Sequence, residues 1–155
     1  VRLQALASAL RNRTPRVAAE LDALAAKVAD AVGRPVALVS FVLDGAQYFV
    51  GAHGLDGWLA ETRGTPVEWS FCAQVVRSDA PLDVQDASVH PVFHDNPLVV
   101  DGAVASYQGV PIRTAEGHVL GSMCVLSDEP GQLEPDAWSH LNEAAVQVIE
   151  LLHDR

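Results

Sequence analysis

Between Val104 and Gly131 two apolar, strand-like runs flank the short polar turn Thr114-Ala115-Glu116-Gly117, a pattern that predicts a β-hairpin. In the second run Val119, Met123 and Val125 are expected on one face and Leu120, Cys124 and Leu126 on the other, because successive strand side chains alternate. Both faces are then apolar. An antiparallel sheet ordinarily leaves one face wet, so two apolar faces require cover on both sides: helices behind, and loops or a ligand in front.

The rest of the pattern supplies that cover. Leu3, Leu6 and Leu10 recur at helical spacing between Arg2 and Arg13. Thr14 is placed to cap a second helix with Pro15 as its first residue, and Val17, Leu21, Leu24, Val28 and Val32 then repeat every three or four positions up to Gly33. A closing helix is predicted from Pro135 to His153, with Trp138, Leu141, Ala145, Val148 and Leu152 on one stripe and acidic Glu134 and Asp136 at its start. These end helices have two readings: packing on their own sheet, or bundling across a dimer and running on into neighbouring domains.

Pro35 to Leu43 and Gln47 to Val50 read as two strands joined at Asp44-Gly45, a strong turn dipeptide. The glycines of Gly51-Ala52-His53-Gly54 predict a bulge or a close backbone approach. Trp58 is expected to cover one end of the core from a polar loop. Leu59 to Glu68 reads as loop, with Thr65 and Glu68 in the form of a capping box. Ser70 caps a predicted helix through Arg77 whose apolar side is Phe71, Val75 and Val76, and Pro81 to Gln85 is a short strand. Ala87 to Asp101 has no sustained period and reads as an ordered loop with one short helical turn, the kind of segment that serves as a binding loop or lid.

Composition narrows what such a fold can do. A chain of 155 residues is one domain, here divided into N-terminal helices (1–33), sheet and pocket loops (34–131) and a C-terminal helix (132–155). Ten basic against twenty acidic residues leave a net charge of −10, which repels nucleic acid and anionic lipid. No apolar run approaches the roughly 18 residues of a membrane span, and no charged-then-apolar signal opens the chain. Cys72 and Cys124 match no metal-finger spacing, so reduced, buried thiols and a cytoplasmic setting are expected. The opening residue is Val1 rather than Met, which points to an excised fragment of a longer protein.

The candidate chemistry is sparse. Cys72, just after a helix start, is either a reactive or ligand-touching thiol or a small buried hydrophobe; Cys124, mid-strand, reads as core. His90 and His94 are four apart with Asp86 four earlier, but Pro91 interrupts the spacing and no third soft ligand is near, so they read as polar loop residues and no metal is assigned. His53, His118, His140 and His153 read as surface. The predicted ligand-binding wall combines Phe41, Tyr48, Phe71, Cys72 and Val75 with Asp86, His90, Phe93, Tyr107 and Met123.

Several ordered motifs resemble the GAF domain: Ser70-Phe71-Cys72-Ala73, Asp86-Ala87, Phe93-x-Asp95-Asn96-Pro97-Leu98-Val99, Tyr107-x-Gly109-Val110-Pro111 and Glu116-Gly117-x-Val119-Leu120-Gly121-x-Met123-Cys124-Val125-Leu126. The likeness runs from about Ala31 to Leu152 and is to the branch found in bacterial signalling proteins. It implies an α+β fold: a central antiparallel sheet of five or six strands, terminal helices on one face, and a short helix and loops enclosing a pocket on the other. It also implies a non-catalytic sensory role in signal transduction, with an unidentified small-molecule ligand, a homodimer through the terminal helices and a fused output domain. No cofactor is specified. The Asn-Lys-x-Phe-Asp-Glu pattern of the cyclic-nucleotide-binding branch is absent, and His90-Pro91-Val92 stands where the bilin-binding branch has Asp-Ile-Pro. The free-methionine-sulfoxide reductases carry their cysteines in pocket loops, unlike this chain. Two other readings are a dimerisation module with a closed pocket and a thiol-dependent redox enzyme related to those reductases.

Overall fold

Alternation and helical period resolve, in the computed structural model, into six strands and six helices among the described residues, 2–153. The side chains of residues 57, 58 and 68 lie outside that description, and with them the readings of Trp58 as a cover and Glu68 as half of a capping box. The helices are α1 (Arg2–Arg11), α2 (Pro15–Val32), α3 (Gly57–Thr62), α4 (Phe71–Ser78), α5 (Pro97–Val100) and α6 (Pro135–Leu151). The strands are β1 (Val36–Val42), β2 (Ala46–His53), β3 (Gly64–Pro66), β4 (Leu82–Val84), β5 (Ser106–Arg113) and β6 (Val119–Ser127). They form one antiparallel sheet in the order β3-β2-β1-β6-β5-β4, so the β5–β6 hairpin and the inserted β1 lie at its centre. No helix among the described residues is long and apolar enough to cross a membrane.

The sheet divides the apolar residues into two cores. Behind it, Val39, Phe41, Ile112, Met123 and Val125 pack against Leu21, Leu24 and Val28 of α2 and Leu141 and Val148 of α6. In front, Leu38, Phe49, Tyr107 and Cys124 pack against Phe71 and Val75 of α4 and against Phe93 and Leu98 of the long loop. Each fully buried aliphatic side chain contributes about 1.5–3 kcal/mol relative to exposure, so the sheet absorbs the stripes of both long helices within a single chain. Leu3, by contrast, is 55% exposed, outside the buried face formed by Leu6 and Ala9.

Two irregularities set which residue faces which core. On β6 Ile112 pairs with Gly121 and Arg113 with Val119, leaving Leu120 as the unpaired residue of a bulge. Leu120 therefore joins the helix-side core, contrary to simple alternation from Cys124. On β2 Val39 pairs with Gly51 and Ser40 with Phe49, leaving Val50 as the extra residue. Gly51 combines both expected roles: a Cβ there would lie 2.9 Å from the Leu21 Cβ, so the missing side chain lets α2 close on the strand.

Caps fix the helix ends. The Thr14 hydroxyl accepts from the Val17 amide at 3.3 Å, and Gly33 ends α2 with φ 76°. The capping-box reading of Thr65 does not hold, because its hydroxyl donates to the Pro66 carbonyl and Pro66, not Thr65, is the cap residue of the 3-10 turn Val67–Trp69. Helix α3 and edge strand β3 replace most of the loop expected from Leu59 to Glu68. Within Ala87 to Asp101 there are two turns of helix rather than one, the 3-10 turn Ala87–Val89 and α5.

Candidate functional site

A cavity of about 320 Å³ lies on the front of the sheet, between the strands, α4 and the loops that cross them. Its floor is Leu38 and Phe49, its inner wall Phe71, Cys72 and Tyr107, and its outer wall Leu55, Trp69, Leu98 and Val104. Asp56 and Asp128, both exposed, are the charged residues that line it. The segment from Ala87 to Val104 forms one side and is pinned rather than loose. Asn96 caps α5 by accepting from the Leu98 amide at 2.9 Å, and its side-chain amide donates to the Trp69 carbonyl at 3.2 Å. The Asn96-Pro97 motif is thus a clasp between this segment and the turn before α4.

Four buried polar side chains hold one end of the cavity. The Gln47 carbonyl oxygen accepts from Ser40 at 3.0 Å and Ser70 at 2.8 Å, and its amide donates to Thr65 at 2.6 Å. Ser70 in turn accepts from the Ala73 amide at 3.0 Å, so the cap of α4 is also its tether to β2. Fully partnered, such a network fixes geometry instead of destabilising the core.

The deepest part of the wall is a thiol cluster. Cys72 Sγ lies 3.2 Å from Tyr107 Oη and 4.0 Å from Cys124 Sγ, and Tyr107 Oη lies 2.8 Å from Ser122 Oγ. Both cysteines are free and buried, as expected, and Cys124 donates to the Leu38 carbonyl at 3.7 Å. Gly109 makes the arrangement possible: a Cβ there would sit 2.6 Å from both Ser122 Oγ and Tyr107 Oη, so only glycine lets the tyrosine ring cross β5. Burial acts to raise the Cys72 thiol, but the Cys124 thiol and the Tyr107, Ser40 and Ser122 hydroxyls can turn their single hydrogens toward it in its charged form, which outweighs burial and brings the group down to about 7. Burial and the neighbouring sulfur push Cys124 well up, and burial with the two thiols does the same to Tyr107. The cluster therefore holds one charge at most near neutrality.

The predicted wall divides into groups. Phe71, Cys72 and Tyr107 line the cavity, with Phe71 stacked between Phe93 at 4.3 Å and Tyr107 at 5.1 Å. Val75 and Phe93 belong to the same core but sit behind that wall. Asp86 caps the Ala87–Val89 turn, and His90 accepts from the Val92 amide at 3.1 Å while its ring lies 4.9 Å from Phe93, so neither reaches the cavity. Phe41 and Met123 are on the opposite face against the helices, and Tyr48 packs there too beneath Arg13, 5.6 Å from its ring centroid. Alternation sorts residues into two sets but does not say which set faces the cavity. Leu38, Gln47 and Phe49 escape sequence reasoning for that reason, although Leu38 has the parity opposite to Phe41, while Trp69, Leu98 and Val104 lie on a turn, a short helix and a loop that carry no alternation to read. Of the histidines read as surface, His118 is half-buried. Among the described residues no group of three or more His, Cys, Asp or Glu is placed to hold a metal.

A helix-backed antiparallel sheet with a walled cavity on its front defines the chain as an α+β pocket domain. The GAF-domain family model matches residues 16–152, and the chain belongs to that family. Over 121 residues it is 40% identical to a cyclic di-GMP phosphodiesterase of Pseudomonas aeruginosa, covering 77% of this chain and 20% of that protein. The chain thus spans about a fifth of that relative's length. In fold it is similar to the GAF domain of an Acinetobacter phosphoenolpyruvate-protein phosphotransferase, with TM-score 0.72, 18% identity, and 97% of this chain and 92% of that one covered. It is also similar to a type II free methionine-R-sulfoxide reductase of Thermoplasma acidophilum, with TM-score 0.70, 14% identity, and coverage of 88% and 92%.

Proposed function

We propose that this GAF domain is a non-catalytic sensory module that takes a small molecule into its front cavity and passes the occupancy to its terminal helices. The observation that carries the reading is that the same strands serve both faces. Leu38 faces the cavity and Val39 the helices, and Tyr107 and Val110 divide in the same way on β5. A ligand that shifts these strands shifts the bed of α2 and α6. Binding transmits a signal only if it favours one helix arrangement over another. The cavity's polar side chains include Gln47, Thr65, Tyr107 and Ser127, and its charges are two carboxylates, which favour a neutral or cationic ligand over an anionic one. The 40% identity to a fifth of a cyclic di-GMP phosphodiesterase supports a place in a longer signalling protein, with the domain fused to an output domain.

The test has two parts. A metabolite library screened by thermal shift and native mass spectrometry is expected to yield a compound that adds its mass and raises the melting temperature. Spin labels at exposed Lys27 of α2 and Glu150 of α6 are then expected to report a changed distance on saturation. Binding without a distance change would remove the transmission step. Neither bound mass nor stabilisation would favour a dimerisation module with a closed pocket.

A further inference from the structure

The sensing reading makes no use of the thiol pair. Both sulfurs belong to the front apolar core, but apolar packing alone does not explain why each also has polar partners and why they meet at 4.0 Å from α4 and β6. We propose that Cys72 and Cys124 form a reversible disulfide, driven by a hydroperoxide, that staples α4 to the central strand. The geometry sets the order of events. Cys72 is 3% exposed and lines the cavity, the side from which a small hydroperoxide would approach, whereas Cys124 is 0% exposed and does not line it. Cys72 is therefore the attacking sulfur and Cys124 the resolving one.

In the first step the Cys72 thiolate attacks the terminal oxygen of the hydroperoxide. The O–O bond breaks, the alcohol leaves after taking a proton, and Cys72 becomes a sulfenic acid. In the second step Cys124, giving up its proton, attacks the Cys72 sulfur; the S–O bond breaks and water leaves. Two thiols lose two electrons and one hydroperoxide gains them, so the sum is two thiols plus ROOH to one disulfide, ROH and water. The sulfurs have only to close from 4.0 Å to the roughly 2 Å of a bond. Tyr107, 3.2 Å from Cys72, stabilises the attacking thiolate by donating to it while Ser122 donates to the tyrosine oxygen. The lowering of the Cys72 thiol to about 7 means that a large fraction is thiolate at neutral pH. Closing the bond breaks the Cys72–Tyr107 contact and draws α4 onto the sheet, which reshapes the inner wall of the cavity.

Reduced protein treated with tert-butyl hydroperoxide, then denatured in the presence of N-ethylmaleimide and weighed intact, is expected to lose two hydrogens and take up no maleimide. Peptide mapping should show Cys72 joined to Cys124, and dithiothreitol should restore two labelled thiols. Cys124→Ser should gain one oxygen, trapped by dimedone on Cys72, and Cys72→Ser should oxidise at least about tenfold more slowly. Wild-type protein that keeps two maleimide adducts, forms only intermolecular disulfides, or is over-oxidised at Cys72 without bridging would overturn the proposal. So would Cys72→Ser reacting as fast as wild type. If the variants fail to fold, the wild-type mapping decides alone.

Discussion

The Cys72 thiol loses its proton near 7 because its hydrogen-bond partners in the cluster outweigh the cost of burial, and this shift has a sign that stability measurements can read. The unfolded chain holds the same proton up to the ordinary value of 9.0, so between about 7 and 9 the folded state gains stability as pH rises. That gain is complete above the unfolded value and is lost as pH falls through the folded one. Cys124 and Tyr107 act oppositely: their folded values lie well above the ordinary 9.0 and 10.0, so stability declines at still higher pH. Urea unfolding at a series of pH values should show the rise between about 7 and 9 in wild type and no such rise in Cys72→Ser. Gly109→Ala tests the same cluster from outside. Its Cβ would meet Ser122 Oγ and Tyr107 Oη at 2.6 Å, so a loss of about 1–3 kcal/mol is expected, together with a Cys72 alkylation rate that no longer levels off above neutrality.

At the scale of the element, helix α4 and the segment from Ala87 to Val104 each depend on one polar side chain with two functions. Ser70 caps α4 and donates to Gln47; Ser70→Ala should cost about 1–2 kcal/mol in chemical denaturation. Asn96 caps α5 and holds Trp69, so Asn96→Ala should speed amide hydrogen exchange across residues 97–104 more than in the strands. Both caps are legible in sequence as residue types: Ser70 stands directly before a helical pattern, and Asn96-Pro97 lies within a GAF-like motif. What sequence did not reveal was the second bond of each, because Gln47 and Trp69 are brought there by the fold. Helix α3 and strand β3 are not legible in sequence for a related reason. They are too short to show a period, and β3 exists only because β2 offers it an edge.

For the molecule as a whole, a helix-backed sheet with a single strand layer between cavity and helices has little room to absorb a change on one face without moving the other. Leu21 occupies the point where α2 meets Gly51, beside the bulge at Val50, and is 0% exposed. Leu21→Ala should cost about 2–5 kcal/mol. It should also weaken any ligand-dependent change in the α2–α6 distance, a result that spin-label measurements on the folded variant would check. The long helices, the hairpins at Asp44-Gly45 and Thr114–Gly117, the caps at Thr14 and Ser70 and the doubly covered sheet were all determined by the sequence itself. Each rests on local rules: a period, an alternation, a turn residue, a cap a few positions from its partner. Only the tertiary structure decided that Leu38 rather than Phe41 faces the cavity, that Leu120 crosses to the helix side, and that Cys72 meets Cys124 across 52 residues of chain. Those outcomes depend on strand register and bulges, which shift a whole set of side chains from one face to the other by a single unpaired residue and leave no mark in local spacing.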